Sequence, residues 1–319
     1  MTTPAPYSGS RIAVVGPGAL GTLFAARLAL AGIPTLLLDY RLDRALRLNE
    51  QGLRLLAQER ETLVRVPVTA DPHNLARVDA ALVLVKAYQT EQAAAMLAEH
   101  LRPDAIAVTL QNGLGNLETL TLALGEARAF GGTTAQGALL EAPGIVRDTG
   151  QGPAVIGHAG GEADHRLDGV AQALLLAGFS VTITQDIQAA IWTKAILNAA
   201  INPVAALTRQ RNGPLAAHEP SLALMTAVAR EAFQIARKHG IALEEQDWRA
   251  RLQTICAATT LNVNSMLRDV LLARRTEVDA INGAIVRTGE LHDTPATVNR
   301  SLWYLIRTIE TSYETQVTG

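Results

Sequence analysis

Apolar and polar positions give the chain two textures that meet near residue 186. Before it, short β-forming runs at 11–15, 35–38, 79–86, 105–110, 129–132, 144–148, 154–157 and 180–184 alternate with helical patterns. Residues 20–31, 91–101 and 166–177 repeat small and apolar side chains at helical spacing. Residues 40–44 open a short helix, and 52–68 alternate like a hairpin or a pair of strands. After residue 186 the β-runs stop, and helical patterns cover 187–207, 221–239, 244–258, a segment 265–288, and 296–313. Strands alternating with helices, then helices alone, predict an α/β chain: an N-terminal Rossmann-type doubly wound sheet over 11–185 followed by an all-α C-terminal domain over 186–319. The first ten residues, MTTPAPYSGS, read as a disordered lead-in.

The turn after the first β-run carries the first chemistry. Gly16-Pro17-Gly18-Ala19-Leu20-Gly21 links a strand to a helix, and Asp39 ends the next strand about 20 residues on. Gly16 permits a tight exit from the strand, Gly18 lets a pyrophosphate approach the backbone, and Gly21 brings helix and strand close. The free N–H groups and positive dipole end of the helix then hold the phosphates. The competing reading is a plain βαβ turn with no ligand. Strand, glycine turn, helix and acidic residue are all present, which favours a dinucleotide site.

Two further strand exits are polar. The apolar run 79–85 ends in Lys86, which is either at a cofactor crevice or the solvated first-turn lysine of a helix. The run 105–110 ends in Gln111-Asn112-Gly113-Leu114-Gly115, either a simple Asn-Gly turn or part of a site at the carboxyl edge of the sheet.

In the helical half, Lys194, Asn198 and Asn202 recur at i, i+4 and i+8 on a helix otherwise made of Ala, Ile, Leu and Trp. An ordinary wet face carries Glu, Arg and Gln, so this stripe reads as the lining of a polar cavity. A snorkelling lysine with capping asparagines is the alternative. A desolvated lysine can give a proton to a carbonyl oxygen, and asparagines orient a ligand without adding charge. Further on, Ser265 reads by itself as a helix N-cap and Glu277 as a surface partner of Arg274.

Composition narrows the classes. The 319 residues are 48% hydrophobic and 18% charged, with a formal net charge of -2, which favours neither nucleic acid nor an anionic membrane as partner. The one cysteine, Cys256, excludes an intrachain disulfide and lies in an apolar stretch, as a buried structural thiol does. The seven histidines are scattered and none is spaced as a metal pair, so no metal is expected. No secretory signal and no apolar run long enough for a membrane helix is read from the sequence, and a soluble cytoplasmic protein is expected. The apolar helical half suggests self-association, with a homodimer as one form.

The ordered set Gly16-Pro17-Gly18-Ala19-Leu20-Gly21, Lys86, Gln111-Asn112-Gly113-Leu114-Gly115, Trp192-x-Lys194-x3-Asn198-x3-Asn202-Pro203, Asn212-Gly213, Ser265-Met266-x2-Asp269 and Thr276-Glu277-x-Asp279-x-Ile281-Asn282-Gly283 resembles the ketopantoate reductase (2-dehydropantoate 2-reductase) family from about Arg11 to Glu314. The resemblance implies NADPH-dependent reduction of 2-dehydropantoate, a 2-oxo acid, to pantoate. It implies Lys194 as general acid and Glu277 as the group that engages the substrate hydroxyl, with Asn112 near nicotinamide and substrate. It further implies Asn198, Asn202, Asn262 and Ser265 in the substrate pocket, Ser265 toward the carboxylate, and Lys86 near the cofactor. The family usually has an arginine just past the second strand, where it pairs with the 2′-phosphate. Here the sequence is Asp39-Tyr40-Arg41, with Arg44 following: Asp39 suits the ribose hydroxyls of NADH, the alternative cofactor, whereas Arg41 and Arg44 can clamp the phosphate of NADPH if Asp39 turns away. A reductase of another branched 2-oxo acid and a non-catalytic dinucleotide sensor are the competing functions; the presence of both Lys194 and Glu277 argues against the sensor.

Overall fold

A computed structural model describes residues 10–315, so of the expected lead-in only Ser10 lies within them. The early apolar runs are strands because they bury both faces, as parallel strands do. In chain order the elements are β1 (Ile12–Val15), α1 (Ala19–Leu30), β2 (Thr35–Leu38), α2 (Leu42–Gln51), β3 (Leu53–Ala57), β4 (Arg60–Val64), β5 (Val68–Thr69), β6 (Ala80–Val83), α3 (Thr90–His100), β7 (Ile106–Thr109), α4 (Asn116–Leu124), β8 (Ala129–Thr134), β9 (Gly137–Ala142), β10 (Ile145–Gly150), β11 (Ala154–His158), α5 (His165–Leu176) and β12 (Val181–Ile183). Then come α6 (Ile187–Thr208), α7 (Asn212–Ala217), α8 (Glu219–Lys238), α9 (Trp248–Ala258), α10 (Ser265–Leu271), α11 (Asn282–Leu291) and α12 (Thr297–Thr311).

Eight strands form the main sheet in the order β12-β11-β8-β7-β6-β1-β2-β5. All neighbours are parallel except β8 and β11, which run antiparallel. The chain winds outward from β1 in both directions, so the carboxyl ends of β1 and β6 form the switch point where such sheets bind ligands. A second sheet, β4-β3-β10-β9, packs on α1. That placement explains the composition of α1: a helix covered on opposite sides is apolar nearly all round, and seven consecutive or near-consecutive residues from Gly21 to Leu28 are buried. Phe24 stacks on Phe179 with ring centroids 4.1 Å apart, and burying such a ring contributes about 2–3 kcal/mol.

The second sheet departs from the sequence expectation in part. The hairpin expected within 52–68 is β3 and β4, but β9 is not anticipated, because its residues are half-exposed and show no alternation. Helices α4 and α7 are also unanticipated; α7 is short and contains Gly213 and Pro214, which obscure a helical pattern.

The helical elements build their own core around Trp192, Ile196, Phe233, Trp248 and Ile285. The helix expected from 244 starts at Trp248, where the Asp247 carboxylate accepts from the N–H groups of Arg249 and Ala250. The segment expected as 265–288 divides into α10 and α11. Between them Ala273 adopts a φ of +50°, ending the first helix. Cys256 is fully buried, and that burial pushes its thiol up to about 11. Contrary to the sequence expectation, one helix among the described residues, α6, is long and apolar enough to cross a membrane; most of it is buried in the fold, as the core helix of a globular unit is.

Two compact units result. One runs to Ala190 without the loop Asn112–Gly115; that loop groups with the second unit, which resumes at Ile191 inside α6. The first expected domain ends at residue 185, a few residues before this division.

Candidate active site

In the first unit, the glycine turn between β1 and α1 is shaped by what its glycines lack. Gly16 has a φ of +108°, and a Cβ there would lie 2.8 Å from the Val85 backbone nitrogen. A Cβ on Gly21 would fall 1.8 Å from the Gly16 carbonyl oxygen, so helix and turn meet only because both residues are glycine. Gly18 differs. Its φ is -73°, and a Cβ there would meet nothing within 4 Å. No packing demand accounts for this glycine, whereas a cradle for a phosphate group needs that open space. The residues present therefore fit a dinucleotide pyrophosphate: Gly18 leaves room, and the N–H groups of the first turn of α1, among Ala19, Leu20 and Gly21, would hold it. Pro17 accepts a bond from the buried Thr22 hydroxyl at 3.3 Å, which steadies the turn.

Three strand exits are stitched together beside that turn. The Leu84 N–H donates to the Val15 carbonyl at 2.9 Å, joining the end of β6 to β1. Gln111, just past β7, donates through Nε2 to the Val85 carbonyl at 2.9 Å and to Thr90 Oγ1 at 2.8 Å, and the Thr90 hydroxyl donates to Asn116 Oδ1 at 2.8 Å. Gln111, Thr90 and Asn116 are all buried. Lys86 directly follows this knot and caps a 3₁₀ turn over Ala87–Gln89, half-buried. The sequence singles out Gln111 as part of a strand exit but gives no sign of its role as the tie between exits, since its partners lie far along the chain.

At the end of β2, Asp39 is fully turned inward. Its carboxylate accepts from Arg44 Nε at 2.5 Å and Nη2 at 2.6 Å, and from the Arg41 N–H at 3.0 Å; its side chain has no exposed surface. The same bonds, with Arg44 over the Tyr40 ring, hold the Arg44 guanidinium above its ordinary range. Arg41 stays exposed and pairs with Asp43 at 2.7 Å. The carboxylate that would meet ribose hydroxyls is thus occupied by protein donors.

In the second unit, α6 presents the Lys194, Asn198 and Asn202 stripe. Asn202 is buried and Asn198 half-buried, yet neither side-chain amide bonds to another described residue, which leaves both open to a ligand. Lys194 is half-buried, and desolvation pushes its amine down to about 8 against the opposing charge of the Glu277 carboxylate. Glu277 is buried, and Asn112 Nδ2 lies 3.5 Å from its Oε2. That approach depends on the loop Asn112–Gly115. The Leu114 N–H donates to the Ala280 carbonyl at 2.8 Å, and Gly113, with a φ of +90°, passes so near that a Cβ would lie 2.5 Å from the same oxygen. Lys194, Glu277 and Asn112, far apart in sequence, are thereby gathered in one unit.

The surface reading of Glu277 as a partner of Arg274 does not hold, because Glu277 is buried and its segment is pinned elsewhere. The Thr276 N–H donates to Glu310 at 2.6 Å, and Asp279 accepts from Trp303 Nε1 at 2.7 Å. The N-cap reading of Ser265 also gives way. Asn264 is the cap, accepting from the Leu267 N–H at 3.0 Å and donating to Asn212 Oδ1 at 3.2 Å. Ser265 is the first helical residue of α10, exposed and relieved of any capping duty, and Asn262 is exposed three residues earlier. Asn264 was missed because two asparagines and a serine compete for one cap in Asn262-Val263-Asn264-Ser265, and only the buried contact with Asn212 decides among them.

Comparison with known proteins gives a consistent result. The family model described as ketopantoate reductase PanE/ApbA matches residues 12–161, and its C-terminal companion matches residues 186–310. A 2-dehydropantoate 2-reductase of Halobacterium salinarum is 35% identical over 298 residues, covering 93% of this chain and 98% of that one. A crystal structure of a PanE/ApbA family ketopantoate reductase from Ralstonia eutropha JMP134 superposes with a TM-score of 0.86 at 30% identity, covering 95% and 99% of the two chains. D-mandelate dehydrogenase, solved with NADH and anilino(oxo)acetate, shares the fold with a TM-score of 0.88 at 23% identity, covering 96% and 100%.

Proposed function

The chain belongs to the ketopantoate reductase family, and from that premise we propose that it reduces 2-dehydropantoate to pantoate with NADPH as hydride donor and Lys194 as proton donor. The observation that carries the proton-donor assignment is the place of Lys194 on the polar stripe of α6, gathered in one unit with the buried Glu277 carboxylate that acts on it; burial there pushes the amine down to about 8. A general acid works best with a value near the operating pH.

When bound, the dinucleotide supplies a hydride to the ketone carbon. As the carbonyl electron pair moves onto oxygen, the Lys194 ammonium stabilises the growing negative charge and transfers its proton, leaving a neutral amine and the product hydroxyl. Glu277 accepts a hydrogen bond from the substrate's own hydroxyl and keeps Lys194 charged. Asn112, beside Glu277, orients that carboxylate. Asn198 and Asn202 offer amides that no other described residue occupies, Asn262 lines the pocket, Ser265 receives the carboxylate end, and Lys86 stands at the cofactor's strand edge.

NADPH is favoured over NADH by the state of Asp39. With both carboxylate oxygens taken by Arg44 and the Arg41 backbone, Asp39 neither presents acceptors to ribose hydroxyls nor carries an uncompensated charge against a 2′-phosphate. The Arg41 guanidinium, held by Asp43 in an exposed pair that a phosphate can replace, is the cation assigned to that phosphate. Steady-state rates with 2-dehydropantoate and with simple 2-oxo acids, each run with NADPH and NADH, test the reading. The expected result is the highest kcat/KM for 2-dehydropantoate with NADPH. Equal turnover of generic oxo acids would refute the substrate, and preference for NADH would refute the cofactor.

A further inference from the structure

Helix α6 contains a proline, Pro203, in its interior. In an α-helix the carbonyl of residue 199 takes its bond from the N–H of residue 203, and proline has none, so the Ala199 carbonyl is left without its helical donor. That carbonyl lies one residue past Asn198 and within the span from Lys194 to Asn202. A buried carbonyl in this state needs another donor. The donor is Asn282, whose Nδ2 lies 3.1 Å from the Ala199 oxygen; the same group donates to Asn299 Oδ1 at 3.1 Å. Asn282 and Asn299 are both fully buried.

Asn282 is itself held from the far side. Asn299 Nδ2 donates to Glu231 at 2.8 Å and to the Val228 carbonyl at 3.2 Å, and Glu231 also accepts the N–H groups of Val298 and Asn299 at 3.0 and 2.8 Å. The chain therefore runs from α8 through α12 and α11 to α6. On its other side, Asn282 closes the segment that carries Glu277. The Ile281 N–H donates to the Glu277 carbonyl at 3.1 Å, and the Gly283 N–H donates to the Val278 carbonyl at 2.9 Å, so residues 277–283 form one hydrogen-bonded knot. A bond from Asn282 to α6 fixes that knot against the helix that bears Lys194.

We propose that Asn282 is a positioning residue of the reductase: it takes the carbonyl that Pro203 leaves open and thereby locks the Glu277 segment to the Lys194 helix. Pro203 is the complementary half of the device, a proline that creates a docking point at the Ala199 carbonyl, five residues past Lys194 on the same helix. The proposal rests on the assignment of Lys194 and Glu277 to proton transfer made above.

The test is a two-by-two comparison of the full chain: wild type, Asn282→Ala, Pro203→Ala and the double variant. Melting temperature, kcat, KM for both substrates and the pH profile of kcat are read for each. Asn282→Ala is expected to lower the melting temperature and to lower kcat tenfold or more with KM for the dinucleotide unchanged. It should also move the high-pH limb of the profile to lower pH, because a loosened Glu277 supports the charge on Lys194 less. Pro203→Ala supplies an N–H to the Ala199 carbonyl, so the double variant is expected to recover most of the melting temperature while kcat and the displaced pH limb stay as in Asn282→Ala. It also serves as the folded variant should Asn282→Ala alone fail to fold. Recovery of kcat together with stability would overturn the positioning role, and absence of any recovery in melting temperature would overturn the link to Pro203. Lys194→Ala, run alongside, separates the two readings: if it keeps full turnover, the proton-donor assignment fails, whereas the melting-temperature cycle still reports on the Asn282 bond by itself.

Discussion

The glycine turn after β1 and the Lys194 stripe on α6 build their sites by opposite means. The turn works by subtraction: side chains are absent at Gly16 and Gly21 so that backbone can meet backbone, and at Gly18 so that space is left open. The stripe works by addition, setting one lysine and two asparagines on an apolar helix, with Glu277, from a distant segment, acting on the lysine. A site of backbone is complete within about ten residues. A site of side chains depends on loops that arrive from elsewhere, and its chemistry is tuned by their charge and burial.

The largest expected effect tests the additive site. Lys194→Met should lower kcat by about 10²–10⁴-fold, the usual worth of a positioned acid, with little change in cofactor affinity. A variant that keeps its kcat would remove the proton donor from the comparison altogether. The same substitution should raise the melting temperature at neutral pH. The folded amine sits at about 8, below its ordinary 10.5, so the folded chain binds fewer protons than the unfolded chain between those values. Wild-type stability at this site is thus penalised below about pH 8, the penalty fades as pH rises toward 10.5, and the advantage of methionine should shrink over that window.

Next come the two glycines of the subtractive site, which should separate cleanly. Gly21→Ala forces a Cβ against the Gly16 carbonyl and should destabilise the chain by about 1–3 kcal/mol, as overpacking does, seen as a lower melting temperature. Gly18→Ala should leave the melting temperature alone and raise KM for the dinucleotide, because its Cβ meets only open space. If both variants behaved alike, the contrast between packing glycine and ligand glycine would fall.

Smaller effects follow from charge. Arg41→Ala should raise KM for NADPH several-fold, as loss of an exposed charge contact does, and leave KM for NADH unchanged. Equal effects on both cofactors would assign Arg41 a role other than phosphate recognition. Finally, the wild-type pH profile should lose activity above about pH 8, as the Lys194 ammonium deprotonates. Glu277→Gln removes the charge that holds that value up, so the limb should move to lower pH; a limb that stays in place would uncouple Glu277 from Lys194.

Much of this was legible in the sequence, and the reasons differ by element. The β1–α1–β2 unit is readable because its signals are local: apolar runs, glycines at fixed spacing, and an acidic residue at a strand end. The stripe on α6 is readable from helical periodicity. Strand β9 is not, since its half-exposed residues acquire their pairing only from β10. The capping of α10 by Asn264 instead of Ser265 turns on a single buried contact with Asn212.

The sequence by itself determined the class of the fold, the glycine turn and the polar stripe of Lys194, Asn198 and Asn202, because each is written in patterns shorter than a few turns of chain; Glu277 entered only through the family resemblance. Tertiary structure alone decided their states. It turned Asp39 inward under Arg44, buried Glu277 beside Asn112, and gave the carbonyl released by Pro203 to Asn282. Desolvation, ion pairing and the satisfaction of buried polar groups depend on neighbours that folding supplies from tens of residues away, and no local pattern encodes them.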